Sequence, residues 1–117
     1  MKIKIDHIDT LVSHLAKLLA DGKCEYCGEY KRLECSHFKG RRYKSTRYDL
    51  DNVAALCFSC HLYMHDNPDI HSEWFKKRLG SEKYEQLNIK AQMVKKYSKT
   101  ELEELEKHLK ERIKEME

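Results

Sequence analysis

Two cysteine pairs, Cys24-x2-Cys27 and Cys57-x2-Cys60, constrain this chain more than any other feature of its sequence. A two-residue gap lets both thiolates of one tight turn reach the same ion, and two such pairs complete a tetrahedron. The 29 residues between the pairs must then accommodate a β-hairpin with a long loop. Composition explains why such a staple is needed. Of 117 residues, 40% are apolar and 37% charged, with a mean hydropathy of −0.83, which permits only a small apolar core. With all four positions cysteine, the zinc is expected to be structural, holding the fold together without doing chemistry.

Two duller readings compete with zinc. Four unrelated buried thiols would be an odd coincidence for two CxxC pairs in so short a chain. A redox CxxC would need only one pair and a thioredoxin-like βαβ setting, and no such pattern is found. Cys35, the fifth cysteine, reads as a small buried apolar residue. The start, MKIKIDHIDT, is too charged for a signal peptide, and no stretch approaches the ~18 apolar residues of a membrane span. A secreted disulfide miniprotein and a membrane protein are thereby disfavoured, and the expected location is the reducing cytoplasm with no membrane partner.

Periodicity organises the rest. Ile8, Leu11, Val12, Leu15, Leu18 and Leu19 recur at helical steps, with Gly22 where a C-terminal cap would stand. RLECSHF and VAALC read as short strands, and FSCHLYMH as the opening of a helix. Asn67-Pro68 breaks that helix and begins the next, whose apolar face is Trp74, Phe75 and Leu79 before Gly80. Ser81 can cap a further helix carrying Tyr84, Leu87, Ala91 and Val94. Ser98 to Glu101 is a capping box, followed by a stripe of Leu102, Leu105, Leu109, Ile113 and Met116. That stripe can dock on the body or pair with a second chain as a homodimer. The expected architecture is α+β and mostly helical. It is one domain over 1–117, with a helix at 6–21, a zinc-bound ββα core at 24–66, a helical extension at 68–97 and a last helix at 98–117.

Charge is unevenly placed. The net value is only +3, yet Lys39, Arg41, Arg42, Lys44 and Arg47 fall within ten residues that contain no acid. The tail from residue 101 holds seven acidic against four basic side chains. The middle of the chain could suit a polyanion and the tail could not. A solvated basic loop is the plain alternative.

The second cysteine pair runs straight into His61, with His65 four residues on, so a helix there would put both imidazoles on one face, able to share a cation. His37 lies near the end of the first strand and Asn52 just before the second. His7, His14, His71 and His108 read as ordinary polar positions.

The order Cys-x2-Cys, a strand with a key His (His37), Asn52, then Leu-Cys-x2-Cys-His resembles the HNH endonucleases with their ββα-metal (His-Me finger) fold. The resemblance covers residues 24 to 66. Within that family, ECSHFKGRR, TRYDLDNVAALCFSCH and EWFKKRLG look closest to the phage recombination endonuclease branch called NinG or Rap. The resemblance implies metal-dependent hydrolysis of DNA phosphodiesters, on branched or recombining DNA, leaving 5′-phosphate and 3′-hydroxyl ends. It implies His37 as general base, Asn52 as the residue that fixes the loop, and His61 as ligand of a catalytic Mg2+ or Mn2+. His65 matches a second helix ligand seen in some branches, and Cys24, Cys27, Cys57 and Cys60 match the structural zinc of others. One position departs from the pattern. Many members carry Asp or His immediately before the base, as a metal ligand, and here it is Ser36, a poor ligand for a hard cation.

The chemistry suits these residues. A neutral imidazole can take a proton from water, a step typically worth ~10²–10⁴-fold. A divalent ion neutralises the phosphate and assists the leaving oxygen. Lys39, Arg41, Arg42, Lys44 and Arg47 could engage phosphates, with Tyr43 and Tyr48 on sugars or bases. A non-catalytic zinc-ribbon DNA-binding module and a protein-interaction adaptor are the alternatives, but neither would require His37, Asn52 and His61.

Overall fold

The computed structural model describes residues 4–117. Its elements run α1 (His7–Leu19), β1 (Leu33–His37), a single 3-10 turn (Leu50–Asn52), β2 (Val53–Cys57), α2 (Phe58–Asp66), α3 (Pro68–Leu79), α4 (Ser81–Ala91) and α5 (Lys99–Met116). This is the expected mostly helical α+β arrangement around a ββα centre.

The strands are antiparallel, with Leu33 opposite Cys57 and His37 opposite Val53. All five residues of β2 are buried, as its uninterrupted VAALC run suggests, because elements pack on both of its faces. On one side α1 and α5 close a core of Ile8, Val12, Leu15, Ala16, Leu109 and Ile113 against Val53. On the other, Cys24, Leu33, Ala55, Leu56, Cys57 and Met64 form a second core, with Trp74 against its edge. The α5 stripe is therefore spent on α1 within the chain: Leu102, Leu105, Leu109 and Ile113 all join the first core, and Met116 alone of the stripe stays exposed.

Caps fix the ends of the two long helices. Asp6 and Asp9 form a reciprocal capping box at α1, and Ser98 and Glu101 form the one expected at α5. At α4 the expectation needs correcting. Gly80 is the N-cap and Ser81 is already helical, with no side-chain cap bond. The helix also stops at Ala91, leaving Val94 wholly exposed. Ala91 is the last position of the stripe that reaches buried surface, so nothing rewards another turn. α3 and α4 bring Phe75 and Tyr84 onto Phe38, at 5.3 Å between ring centroids in each case. Phe75 is fully buried, a burial worth ~1.5–3 kcal/mol.

The strands are joined by a long segment, residues 38–52, built from consecutive turns. It is tied down at several points. Tyr97 Oη donates to the Lys44 carbonyl at 2.9 Å, and Ser45 Oγ donates to the Lys90 carbonyl. Among the described residues, no helix is long and apolar enough to cross a membrane.

Candidate functional site

The cysteine pairs meet as their spacing requires. One ligand atom from each of Cys24, Cys27, Cys57 and Cys60 lies within 4.8 Å of the others. Cys27 and Cys57 sulfurs are 3.9 Å apart, close to the ~3.8 Å between thiolates on a tetrahedral ion with ~2.3 Å bonds. The first pair sits in a knuckle closed by the Gly28 amide donating to the Cys24 carbonyl at 2.9 Å. Gly28 has φ +76°, a conformation that a side chain would strain. The second pair opens α2, with Cys57 as its N-cap, where the unpaired amides of the helix favour an anion. Hydrogen bonds from Ser59 and the Cys60 amide bring the Cys57 thiol down to about 6, so it is readily a thiolate. Four sulfur donors in this geometry fit a metal ion. Cys35 stands apart from them, packed on the α1 core, where burial raises its thiol to about 11.

Asn52 is completely buried and clamps the chain just past His37. Its Oδ1 accepts from the Lys39 amide and its Nδ2 donates to the Lys39 carbonyl, both at 2.8 Å, while its own carbonyl accepts from the Phe38 amide at 2.8 Å. His37 is thereby held at the last position of β1. Burial, then the charges of Arg41 and His61, lower its pKa to about 4 against the pull of Asp9, so its ring is neutral at neutral pH.

On α2, Cys60 and Met64 turn inward, and His61 and His65 line an open groove of roughly 240 Å³ with Glu34, Phe58 and Leu62. His61 Nδ1 donates to Glu34 Oε1 at 2.8 Å. A carboxylate can only accept, so Nδ1 carries the proton of this bond. His65 shares the groove but is exposed. Among the described residues, His61 and His65 belong to no cluster of three or more His, Cys, Asp or Glu ligand atoms as the cysteines do.

Ser36 is turned away from the groove's lining. It is only 2% exposed, and its Oγ faces His71 Nε2 of α3 at 3.5 Å. His71 sits edge-on to Phe38 and Phe75, and its pKa is lowered by burial and then by the charge of His61. His61 thus acts electrostatically on both His37 and His71.

The basic run divides in two. Arg47 is committed to α1: its Nη2 donates to Asp9 Oδ2 at 2.6 Å and to the Lys4 carbonyl, and its Nε donates to Asp9 Oδ1 at 3.1 Å. Its side chain is 11% exposed and that of Asp9 not at all. Arg41 approaches the same carboxylate at 3.5 Å. Burial alone would raise the Asp9 pKa, but the Arg47 hydrogen bonds, the Asp6 contact and the two guanidinium charges bring it below the usual value. Arg42 and Lys44 remain exposed, and Lys39 is partly so, its ammonium 4.9 Å from the centre of the Phe38 ring.

Sequence reasoning missed Glu34, Asp9 and His71. Glu34 was discoverable, since on a strand it shares a face with Ser36. Asp9 and His71 offered no such signal, because each gains its role from an element distant in sequence.

No curated protein and no solved structure matches the chain. The family model of the HNH endonuclease does match, over residues 24–67, which span the first cysteine pair, the hairpin, Asn52 and all of α2. Over these residues the centre of the chain is similar to the HNH endonucleases.

Proposed function

We propose that the chain is a metal-dependent DNA endonuclease that hydrolyses phosphodiester bonds with His37 as general base. The observation that carries this reading is the Asn52 clamp, which fixes a neutral imidazole at the mouth of the basic segment, with the His61 groove on the neighbouring helix. His37 would accept the proton of the attacking water. Asn52 keeps it in place through the Lys39 backbone. His61, its ring oriented by Glu34, presents Nε2 or exchanges its Nδ1 bond to hold a divalent ion beside the scissile phosphate. Such an ion, when bound, supplies charge neutralisation and help for the leaving oxygen. Lys39, Arg42 and Lys44 would contact backbone phosphates, whereas Arg47 and Arg41 chiefly anchor the segment to α1. The cysteine cluster holds a structural zinc that fixes the start of α2.

One observation favours a non-catalytic DNA-binding module instead: Ser36 at the usual ligand position is buried against His71. Supercoiled plasmid incubated with the zinc-loaded protein and Mg2+, Mn2+ or EDTA separates the two. The nuclease relaxes or linearises plasmid with at least one ion and not with EDTA. The binding module retards the DNA and leaves it intact under every condition.

A further inference from the structure

Glu34 and His61 meet as a pair suited to a hard divalent cation, and Ser36 does not share in it. Glu34 Oε1 and His61 Nδ1 are 2.8 Å apart. Neighbouring ligands on an octahedral ion with ~2.0–2.1 Å bonds stand ~2.9–3.0 Å from one another. The pair is thus already at the spacing of two adjacent ligands, and an ion takes Nδ1 once the proton there moves to Nε2 or to solvent. Both side chains are accessible, at 42% for Glu34 and 36% for His61, so a hydrated ion can reach them. The open groove beside them leaves room for the waters and phosphate oxygens that complete a magnesium or manganese shell. Ser36 shares the strand face of Glu34 two residues on, but its hydroxyl is buried against His71.

We infer that Glu34, rather than Ser36, supplies the carboxylate of a two-residue cation site completed by His61 Nδ1, taking Mg2+ or Mn2+. The inference rests on the nuclease reading for its purpose but not for its test. A carboxylate with one imidazole suits a hard ion, whereas the four thiolates retain zinc, so the two metals sort themselves by donor chemistry.

The test is Mn2+ binding to zinc-loaded full-length protein, followed by the loss of the free-ion electron paramagnetic resonance signal, alone and with a short duplex. Wild type should bind one Mn2+ beyond its zinc. Glu34→Gln should weaken that binding by at least ~10-fold with zinc content and thermal unfolding unchanged, and Ser36→Ala should leave it as it was. Glu34→His separates ligation from mere orientation of His61. An imidazole ligand at position 34 should shift preference from Mn2+ towards Ni2+, whereas an outer partner would weaken both ions alike. Parallel weakening, unchanged affinity in Glu34→Gln, or absence of any Mn2+ site in wild type would each overturn the assignment. If Glu34→Gln binds Mn2+ normally while wild type still cuts plasmid, only this assignment falls. If Glu34→Gln loses Mn2+ but wild type cuts nothing, the cation site stands and the nuclease reading falls.

Discussion

The β1–β2 hairpin is held by different means on its two sides. Towards α1 and α5 it meets a conventional apolar core, in which Leu15, Val12 and Leu109 are almost wholly enclosed. Towards α2 the enclosed residues include two cysteines and an alanine, and the large side chains are few: Leu33, Leu56 and Met64. Little apolar volume is available there, and the cysteine cluster stands where more of it would otherwise be needed. The polar groups divide in the same sense. The α1 side spends its charges on structure, as in Asp9 with Arg47. The α2 side keeps Glu34, His61 and His65 accessible. A side stapled by a metal can leave polar residues open to ligands, because its stability does not depend on covering them.

Removing the metal is the strongest way to break this asymmetry. Structural zinc in small domains is worth an apparent ~10–16 kcal/mol, comparable to the whole stability of a domain this size. A strong chelator, or Cys57→Ser, should therefore unfold the hairpin and α2 and abolish a cooperative thermal transition followed by circular dichroism. Metal analysis of untreated protein should return about one tightly held zinc per chain by the four-ligand rule. An unchanged transition after metal removal would show that apolar packing suffices on both sides.

The basic segment sharpens the comparison at smaller scale. Arg47→Ala leaves the Asp9 carboxylate buried without its main partner, and should cost ~3 kcal/mol in denaturant unfolding. Neutralising Arg42 and Lys44 together should leave stability within ~0.5 kcal/mol, while weakening DNA binding and flattening its salt dependence. If Arg47→Ala is as stable as wild type and the double variant is not, the division of the segment is drawn the wrong way round.

Much of this was legible in the sequence, for reasons that differ by element. The cysteine spacing, the buried VAALC strand and the Ser98 capping box are local patterns whose geometry follows from a few neighbouring residues. Helical periodicity predicts an α4 one turn longer than the helix is, because the pattern continues to Val94 while the surface that would cover it does not. The five cations of residues 39–47 looked equivalent because sequence does not show which of them meets a buried acid. Asp9 lies 38 residues from Arg47, and His71 lies 35 residues from Ser36, so both pairings exist only through the tertiary fold.

A finer effect concerns pH. His37 has a folded-state pKa of about 4, below the ordinary value of 6.5, so the unfolded chain binds its proton first. Its contribution is therefore fully present above pH ~6.5 and is lost as pH falls towards 4. Since the ring is partly exposed, the loss should be only ~1–2 kcal/mol. Comparing wild type with His37→Asn isolates it from zinc release. The stability difference should be flat above pH ~6.5 and shift against the wild type below it. A flat difference down to pH 4 would mean that His37 is freely hydrated.

The central claim is that two histidines on adjacent elements do separate jobs in cutting DNA, and single-turnover plasmid cleavage by two variants tests it most directly. His37→Ala should lower the rate by at least ~10²-fold at every concentration of Mg2+ or Mn2+, with zinc content, Mn2+ affinity and DNA affinity close to wild type. His61→Ala should show a defect that diminishes as the ion concentration rises, because it removes a ligand and spares the base. Cleavage by His37→Ala at the wild-type rate would contradict the account of the base, and a wild-type protein that binds DNA but cuts it with no divalent ion would contradict the account as a whole.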